Sequence, residues 1–566
     1  MAISTDRPWL ASYAEGVPTD LEPPTGSLYD LIRESVEQYP DHVALEFFGR
    51  TTTYAELGAE IERVAEGLRV LGVQPGDPVA IVLPNCPQHI VAFYAVLRLG
   101  AIVVEHNPLY TPRELRHQFE DHGARVVIAW DKVVATIQDF PADVSVQTIV
   151  SVDVTRAMPF ATRLALRLPI AKARESRAAL TTKVRGTTPW TQLTGSAPVD
   201  AHIARPGASD VALIQYTSGT TGSPKGATLT HANLLANAAQ ARAWVPEVPR
   251  GSAVVYAVLP MFHAYGLTLC LTFAMSMGAR LVLFPKFDPE LVLKVVKKHP
   301  ATFLPAVPPI YDRLTKAAAA EGVSLDGIQI AISGAMPLST AVVEPWEAAT
   351  GGALVEGYGL SECSPVLMAN PVAPNRRIGT VGLPLPSTEA RVVDPENPIA
   401  DVARGAEGEL VVRGPQVFSG YWKKPEETEA VFVADPDGGA PWFRTGDIVS
   451  IDADGFVTIV DRIKELIITG GFNVAPSEVE EAVRSHADVE DVAVVGLPDE
   501  HSGEAVVAVV VLREGAVLDE AGIRAHARDQ LTAYKVPKRV VQVDELPRSL
   551  IGKVLRREVR NGLLNG

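Results

Sequence analysis

Across the first two thirds of the chain, unbroken Val/Ile/Leu runs alternate with helix-like segments, and this alternation constrains the fold most strongly. "PVAIVLPN" reads as a buried strand, "PQHIVAFYAVLRLGA" as a helix opened by Pro, and "IVVEHN" as a second strand. The helix "PRELRHQFEDHG" and the strand "RVVIAW" follow, and the rhythm returns from "SAVVYAVLP" through "RLVLFPKF" and "DPELVLKVVKKHP" to "ATFLPAVPP". Strands apolar throughout need cover on both faces, which parallel sheets between helices supply. Beyond about residue 385, "TEARVVD", "EGELVVRG" and "GFVTIVDRIKELIITGG" look like hairpins, and a compact βα-rich tail runs from "PSEVEEAVRSH" to "DEAGIRAHARDQL". The predicted fold class is α/β: a large N-terminal domain of parallel-rich sheets with helices on both faces and a β-rich subdomain, then a small α+β C-terminal domain. A chain of 566 residues is too long for one ordinary core.

A formal charge of −16 argues against a nucleic-acid partner. Cys86, Cys270 and Cys363 are an odd number at unrelated spacings, which suits neither a disulfide framework nor a metal site. The start "MAISTDRPWL" has no apolar signal core, and "LTLCLTFAMSMGA" is too short to span a bilayer. A cytoplasmic location is expected. One segment departs from the acidic background: residues 155–185 hold eight Lys/Arg against the single acid Glu175. Arg163 and Arg167 are predicted on one helical face with Leu164 and Leu168 beside them. The stretch reads either as a solvated, partly disordered insertion or as a patch resting on anionic lipid at the inner membrane face.

The stretch "YTSGTTGSPKG" (216–226), directly after the apolar "VALIQ", carries the clearest chemistry. Gly lets backbone N–H groups turn toward a phosphate, hydroxyls add donors, and Lys supplies positive charge. A Walker-type loop is excluded, because Pro224 precedes Lys225 and Gly226 follows it. "IGKVLRR" fails the same test, with Val554 after Lys553 and Pro547 at the required first Gly. The plain alternative for 216–226 is a hairpin turn rich in turn formers. "VEGYGLSE" (355–362) ends an apolar strand on the carboxylate Glu362, the kind of ligand Mg²⁺ takes alongside phosphate oxygens. "WFRTGDIV" (442–449) sets Asp447 after a Gly turn, where it could accept two ribose hydroxyls or close an Asx-type turn. "DRIKELIITGGFNVAPSEVE" and "PRSLIGKVLRRE" are basic turns.

Taken in order, these stretches resemble the adenylate-forming superfamily of acyl- and aryl-CoA ligases, peptide-synthetase adenylation domains and beetle luciferases. The likeness runs from "TTTYAEL" to "GKVLRRE", through "YTSGTTGSPKGATLTHANL", "YGLSE", "WFRTGD" and "DRIKE", with Ser361 where Thr is commoner. Within that superfamily it is nearest to bacterial long-chain fatty-acid–CoA ligases. The resemblance implies that Thr217, Ser218, Gly219, Thr220, Thr221, Gly222 and Lys225 close over ATP phosphates. It implies Glu362 as the Mg²⁺ ligand, with Gly357, Tyr358, Gly359 and Ser361 around the adenine on which Tyr358 stacks. Asp447 would bind the ribose with help from Arg462, and Lys553 would reach the substrate carboxylate and α-phosphate. A large domain 1–461, with subdomains near 1–195, 196–385 and 386–461, would precede a mobile domain 462–566 that turns at Lys464. Gly470 and Gly471 would let a pantetheine arm pass close to the backbone.

With only a short tail beyond Lys553, no carrier domain is expected and free coenzyme A is the expected acceptor. Amino-acid-activating relatives place an Asp in the stretch matching "LPMFHAYGLT", where this chain has His263 and no acid. An unpaired ammonium there would be costly. His263, Gly266, Val307, Gly334 and Ala335 are the candidate acyl-pocket residues, in apolar or small surroundings that suit an alkyl or aryl acid. The expected partners are a fatty acid, ATP with Mg²⁺, and coenzyme A, with membrane contact through 155–185 and a homodimer also considered. Three alternatives stay open: an aryl or medium-chain acid ligase, a relative that stops at or oxidises acyl-AMP, and a non-catalytic scaffold. A G-x-S-x-G hydrolase elbow is absent from the sequence.

Overall fold

The computed structural model describes residues 7–217, 224–435, 437–469, 472–499, 503–531, 533–549 and 552–565. Its strands and helices group into two units, one of Ser12–Glu389 with Arg413–Val431, the other of Met1–Ala11, Ala390–Val412 and Phe432–Gly566.

The first unit holds two large sheets. In the eight-stranded one, Pro78–Val82 is flanked by Ile102–Glu105 and Val126–Trp130, and its neighbours Val211–Thr217 and Thr148–Val152 continue the parallel run. The nine-stranded sheet is parallel from Val43–Phe47 through Arg280–Leu283, Val254–Ala257, Phe303–Ala306 and Ile330–Ser333 to Ala353–Gly359. These are the Val/Ile/Leu runs of the sequence, and their interior positions are buried. The helix Pro87–Arg98 is buried from Gln88 onward, which accounts for its apolar residues all round. Reciprocal Ser/Thr capping boxes start the helices Leu28–Gln38, Tyr54–Val70 and Pro112–His122.

The strand Lys225–Thr230 departs from the parallel pattern. It runs antiparallel to Val211–Thr217, and the short strand Gly420–Tyr421 adds antiparallel to its other edge. A Walker motif would follow its first strand with a helix, whereas here the next described element is an antiparallel strand. The two flanking strands pair as a hairpin's arms would, and the turn residues 218–223 lie outside the described residues.

The second unit contains an antiparallel sheet in which Trp442–Ile451 pairs with Gly408–Arg413, Phe432–Val433 and Val457–Arg462. A second sheet is built on the long hairpin Val489–Asp499 and Gly503–Leu512, with Arg539–Gln542 added in parallel. The helices Pro476–Arg484 and Glu520–Arg528 cover it, an α+β arrangement as expected. The segment read as one run of hairpins changes sheets: the 3₁₀ turn Ile463–Glu465 separates Val457–Arg462 from Ile467–Thr469.

Residues 155–185 form two short helices, Phe160–Ala165 and Ala171–Leu180. The expected shared face of Arg163 with Arg167, and of Leu164 with Leu168, is corrected here, because the first helix stops at Ala165. Pro169 is the physical reason, since it biases Leu168 away from helical geometry. No helix of the described residues is long and apolar enough to cross a membrane.

Candidate active site

In the first unit, the hairpin sets Thr217 opposite Lys225, and Tyr216 opposite Gly226. A Cβ at position 226 would come within 2.6 Å of Ile214 Cγ2, so Gly is required directly after the lysine. Ser218, Gly219, Thr220, Thr221 and Gly222 lie outside the described residues. The Lys225 ammonium sits over the Tyr421 ring, 5.1 Å from its centroid. Tyr421 donates its hydroxyl to Glu362 Oε1 at 2.8 Å, and burial, with the Glu362 charge and this bond adding to it, pushes the phenol up from its ordinary value. Glu362 lies in the 3₁₀ turn Ser361–Cys363, and its carbonyl accepts from Phe418 N–H at 2.8 Å. A cation and a carboxylate thus meet at one tyrosine, with the cation on the strand opposite Thr217.

Gly357, Tyr358 and Gly359 end the strand Ala353–Gly359, with Tyr358 buried. Gly359 is forced by packing, since a Cβ there would lie 1.8 Å from the Pro365 carbonyl oxygen. Glu356 on the same strand is buried, and that burial pushes its carboxyl up to about 8 against the pull of the Leu338 N–H.

The candidate acyl-pocket residues gather partly around Tyr265. Its hydroxyl donates to Ile332 O at 2.7 Å and Ala306 O at 3.0 Å, and a Cβ on Gly334 would meet its ring at about 3.1 Å. Val307 caps the helix Pro308–Glu321, and Ala335 takes φ +65° directly after Gly334. Gly266 has its own packing reason, because a Cβ would lie 2.2 Å from Pro260 O. His263 is half-buried at the cap of the turn Ala264–Gly266, and loss of hydration holds its imidazole below its ordinary value. A π-helical turn, Leu267–Thr272, follows.

In the second unit, Asp447 and Arg462 are register partners on adjacent strands, and Arg462 Nε lies 2.9 Å from Asp447 Oδ1. Asp447 is buried and follows Gly446 at φ +73°, the turn that aims its carboxylate. Lys553 rides a tight turn. Its N–H donates to Ser549 Oγ at 3.1 Å, its carbonyl accepts from Ser549 N–H at 2.7 Å, and Gly552 supplies φ +82°. Burial lowers the Lys553 ammonium from its ordinary value and the Arg462 and Arg556 charges add to this, while Glu465 and Asp447 oppose it. Arg556 grips Glu480 with two 2.8 Å bonds, Ser477 Oγ with one of 2.9 Å, and also contacts Glu465. Lys464 falls in the 3₁₀ turn Ile463–Glu465, and Gly470 and Gly471 lie outside the described residues.

Tyr421, Tyr265, Glu356 and Arg556 carry no role in the sequence reading. Glu356 left a signal, a carboxylate inside an apolar strand, and Arg556 stood inside a quoted motif. Tyr421 left none, since its position depends on an edge strand only two residues long. Among the described residues, no three His, Cys, Asp or Glu side chains gather as a metal cage.

One unit thus carries a lysine and a carboxylate at a shared tyrosine, and the other, by itself, a paired Asp/Arg and a turn-borne lysine. The family model described as "AMP-binding enzyme" matches residues 32–422, and that of its C-terminal domain matches 478–553. The chain belongs to the AMP-binding enzyme family. It is 38% identical to a long-chain-fatty-acid–CoA ligase of Bacillus subtilis over 98% of both chains. It is 35% identical to 4-coumarate–CoA ligase 5 of rice over 95% of both. Among solved structures, ATP-bound MatB from Rhodopseudomonas palustris superposes with TM-score 0.81 at 33% identity, over 94% of this chain and 98% of that one.

Proposed function

We infer that the chain is an ATP-dependent acyl-CoA ligase whose acid is a long-chain fatty acid. In the first step, a carboxylate oxygen bonds to the α-phosphorus of ATP and the bond to pyrophosphate breaks, giving acyl-AMP. In the second, the thiol sulfur of coenzyme A bonds to the acyl carbon, AMP leaves with the C–O electron pair, and the thiol proton is released. Two anions must meet in the first step, so positive charge and positioning dominate the catalysis. Thr217, Lys225 and the loop between them would hold the phosphates, Tyr358 with its flanking glycines and Ser361 the adenine, and Asp447 with Arg462 the ribose. Lys553 would bridge the carboxylate and the α-phosphate. Glu362 fits Mg²⁺, which takes one or two carboxylates together with phosphate oxygens, and the bound ion would offset phosphate charge. The observation that carries the reading is that Lys225 and Glu362 meet at one tyrosine, the ammonium over the Tyr421 ring and the carboxylate at its hydroxyl.

We place the mobile domain at 462–566, turning at Lys464 so that Lys553 serves the first step and Gly470–Gly471 the thiol path in the second. The sheet change at Ile463–Glu465 supports that hinge. Long-chain acids are favoured by the names of relatives at 37–38% identity over nearly the whole chain. The residues around Tyr265, Val307 and Gly334 are apolar or small, which suits an alkyl or an aryl acid alike. A panel of acids with ATP, Mg²⁺ and coenzyme A, read by AMP release, tests this. A preference for aryl or medium-chain acids would displace the long-chain reading.

The exposed side chains of Phe160, Leu164, Leu168 and Ile170, beside the arginines of 155–185, support peripheral contact with an anionic membrane. Replacing Arg163, Arg167, Lys172 and Arg174 with Glu should abolish salt-sensitive co-sedimentation with phosphatidylglycerol vesicles. Unchanged co-sedimentation would make the patch a solvated face.

A further inference from the structure

The basic stretch 155–185 is pinned rather than loose. Trp130 Nε1 donates to Leu180 O at 2.8 Å, Lys132 Nζ to Ala178 O at 2.6 Å, and Gln138 Nε2 to Arg185 O at 2.8 Å. Asp131 accepts from the Thr181 hydroxyl and from Thr182 N–H. Held in this way, the two helices and the turn after Thr148–Val152 border a partly open cavity of about 130 Å³. One water needs only about 10–15 Å³ measured this way, so the space suits a polyatomic ion.

Arg156, Arg163, Arg167 and Arg177 line the cavity, with Asp153 as its acid. Asp153 Oδ1 is engaged by the Thr155 N–H at 3.0 Å and hydroxyl at 2.6 Å. Among the described residues, the only ion pair made by these four arginines is Arg156 with Asp153, at 3.8 Å. The Thr155 and Thr181 hydroxyl protons are committed to Asp153 and Asp131, so the side-chain donors available to a ligand are guanidiniums. Like charges gathered on one cavity repel one another unless an anion joins them.

We propose that this cavity binds a phosphate dianion or the phosphomonoester of a larger ligand, separately from the residues given to ATP. A phosphomonoester brings a charge of about −1.5 to −2 and three acceptor oxygens, which several guanidinium forks can share. A single carboxylate would leave most of that positive charge unanswered. The phosphoryl group comes either from free phosphate or from the head group of a phosphatidate-type lipid. The site stands whatever acid the enzyme activates.

Calorimetric titration of the full chain with inorganic phosphate, with a non-hydrolysable ATP analogue filling the nucleotide site, tests the proposal. Binding should weaken about tenfold or more in Arg163→Gln/Arg177→Gln, the loss of charge-assisted hydrogen bonds. Arg167→Gln, a single change at an exposed side chain, should fall between, and it guards against a misfolded double variant. A second arm compares phosphatidate with phosphatidylglycerol vesicles at matched surface charge. A phosphatidate preference that the variants abolish supports the site with a lipid source, and variant-sensitive phosphate binding without that preference supports it with a free one. Absence of both responses, or responses the variants leave unchanged, overturns the proposal.

Discussion

Lys225 and Lys553 are both directed at phosphate by the family resemblance, yet their surroundings differ in kind. Lys225 opens a sheet strand, is set by register against Thr217, and has an aromatic ring beneath its ammonium. Lys553 sits on a turn, where burial and two arginines oppose its charge and two carboxylates support it. A charge on a strand with a neutral neighbour suits a resident clamp. One held among opposing charges on a turn is conditional, and this suits a group needed in one step only.

The sharpest way to break this contrast is Lys553→Ala. Loss of one preorganised donor should raise the adenylation barrier by roughly 3–4 kcal/mol, by analogy with oxyanion-hole donors. Thioester formation from synthetic acyl-AMP should change little, and an equal fall in both steps would remove the single-step role. Glu362→Gln comes next. It keeps the shape and removes the charge, and should cost about 2.7 kcal/mol, a hundredfold in adenylation rate. Pyrophosphate release with an unaltered Mg²⁺ dependence would detach Glu362 from the metal.

The third test is pH. Because the Lys553 ammonium is lowered, adenylation should decline on the alkaline side before an ordinary lysine would lose its proton. Lys553→Arg stays charged and should move that decline upward; a pH–rate profile unmoved by this change assigns the limb to another group. The linkage sign agrees: the folded state binds fewer protons than the unfolded state between the two values. Lys553 therefore costs stability below its folded value, and that cost is relieved as pH rises toward the ordinary one. The smallest effect is expected for Tyr421→Phe, which removes the bond to Glu362 and keeps the ring beneath Lys225. It should cost about 1 kcal/mol in kcat/KM for ATP, whereas Tyr421→Ala should cost more if the ring itself supports the lysine.

The sheets were legible because buried strands must be continuously apolar, and that pattern is local. Asp447 and Arg462 were legible as separate motifs; their pairing follows once adjacent antiparallel strands set the register. Arg163 and Arg167 were anticipated on one helical face, but the helix Phe160–Ala165 ends before Arg167.

Sequence by itself determined the α/β class, the antiparallel region beyond residue 385 and the chain order of the stretches "YTSGTTGSPKG", "YGLSE", "WFRTGD" and "GKVLRRE". Each of these depends on residue type within a contiguous stretch. Tertiary structure alone decided that Tyr421 joins Lys225 to Glu362, that Arg556 gathers Glu465 and Glu480, and that four arginines share one cavity. Such contacts form only after long loops close, and packing sets their geometry, so no local pattern of residues announces them.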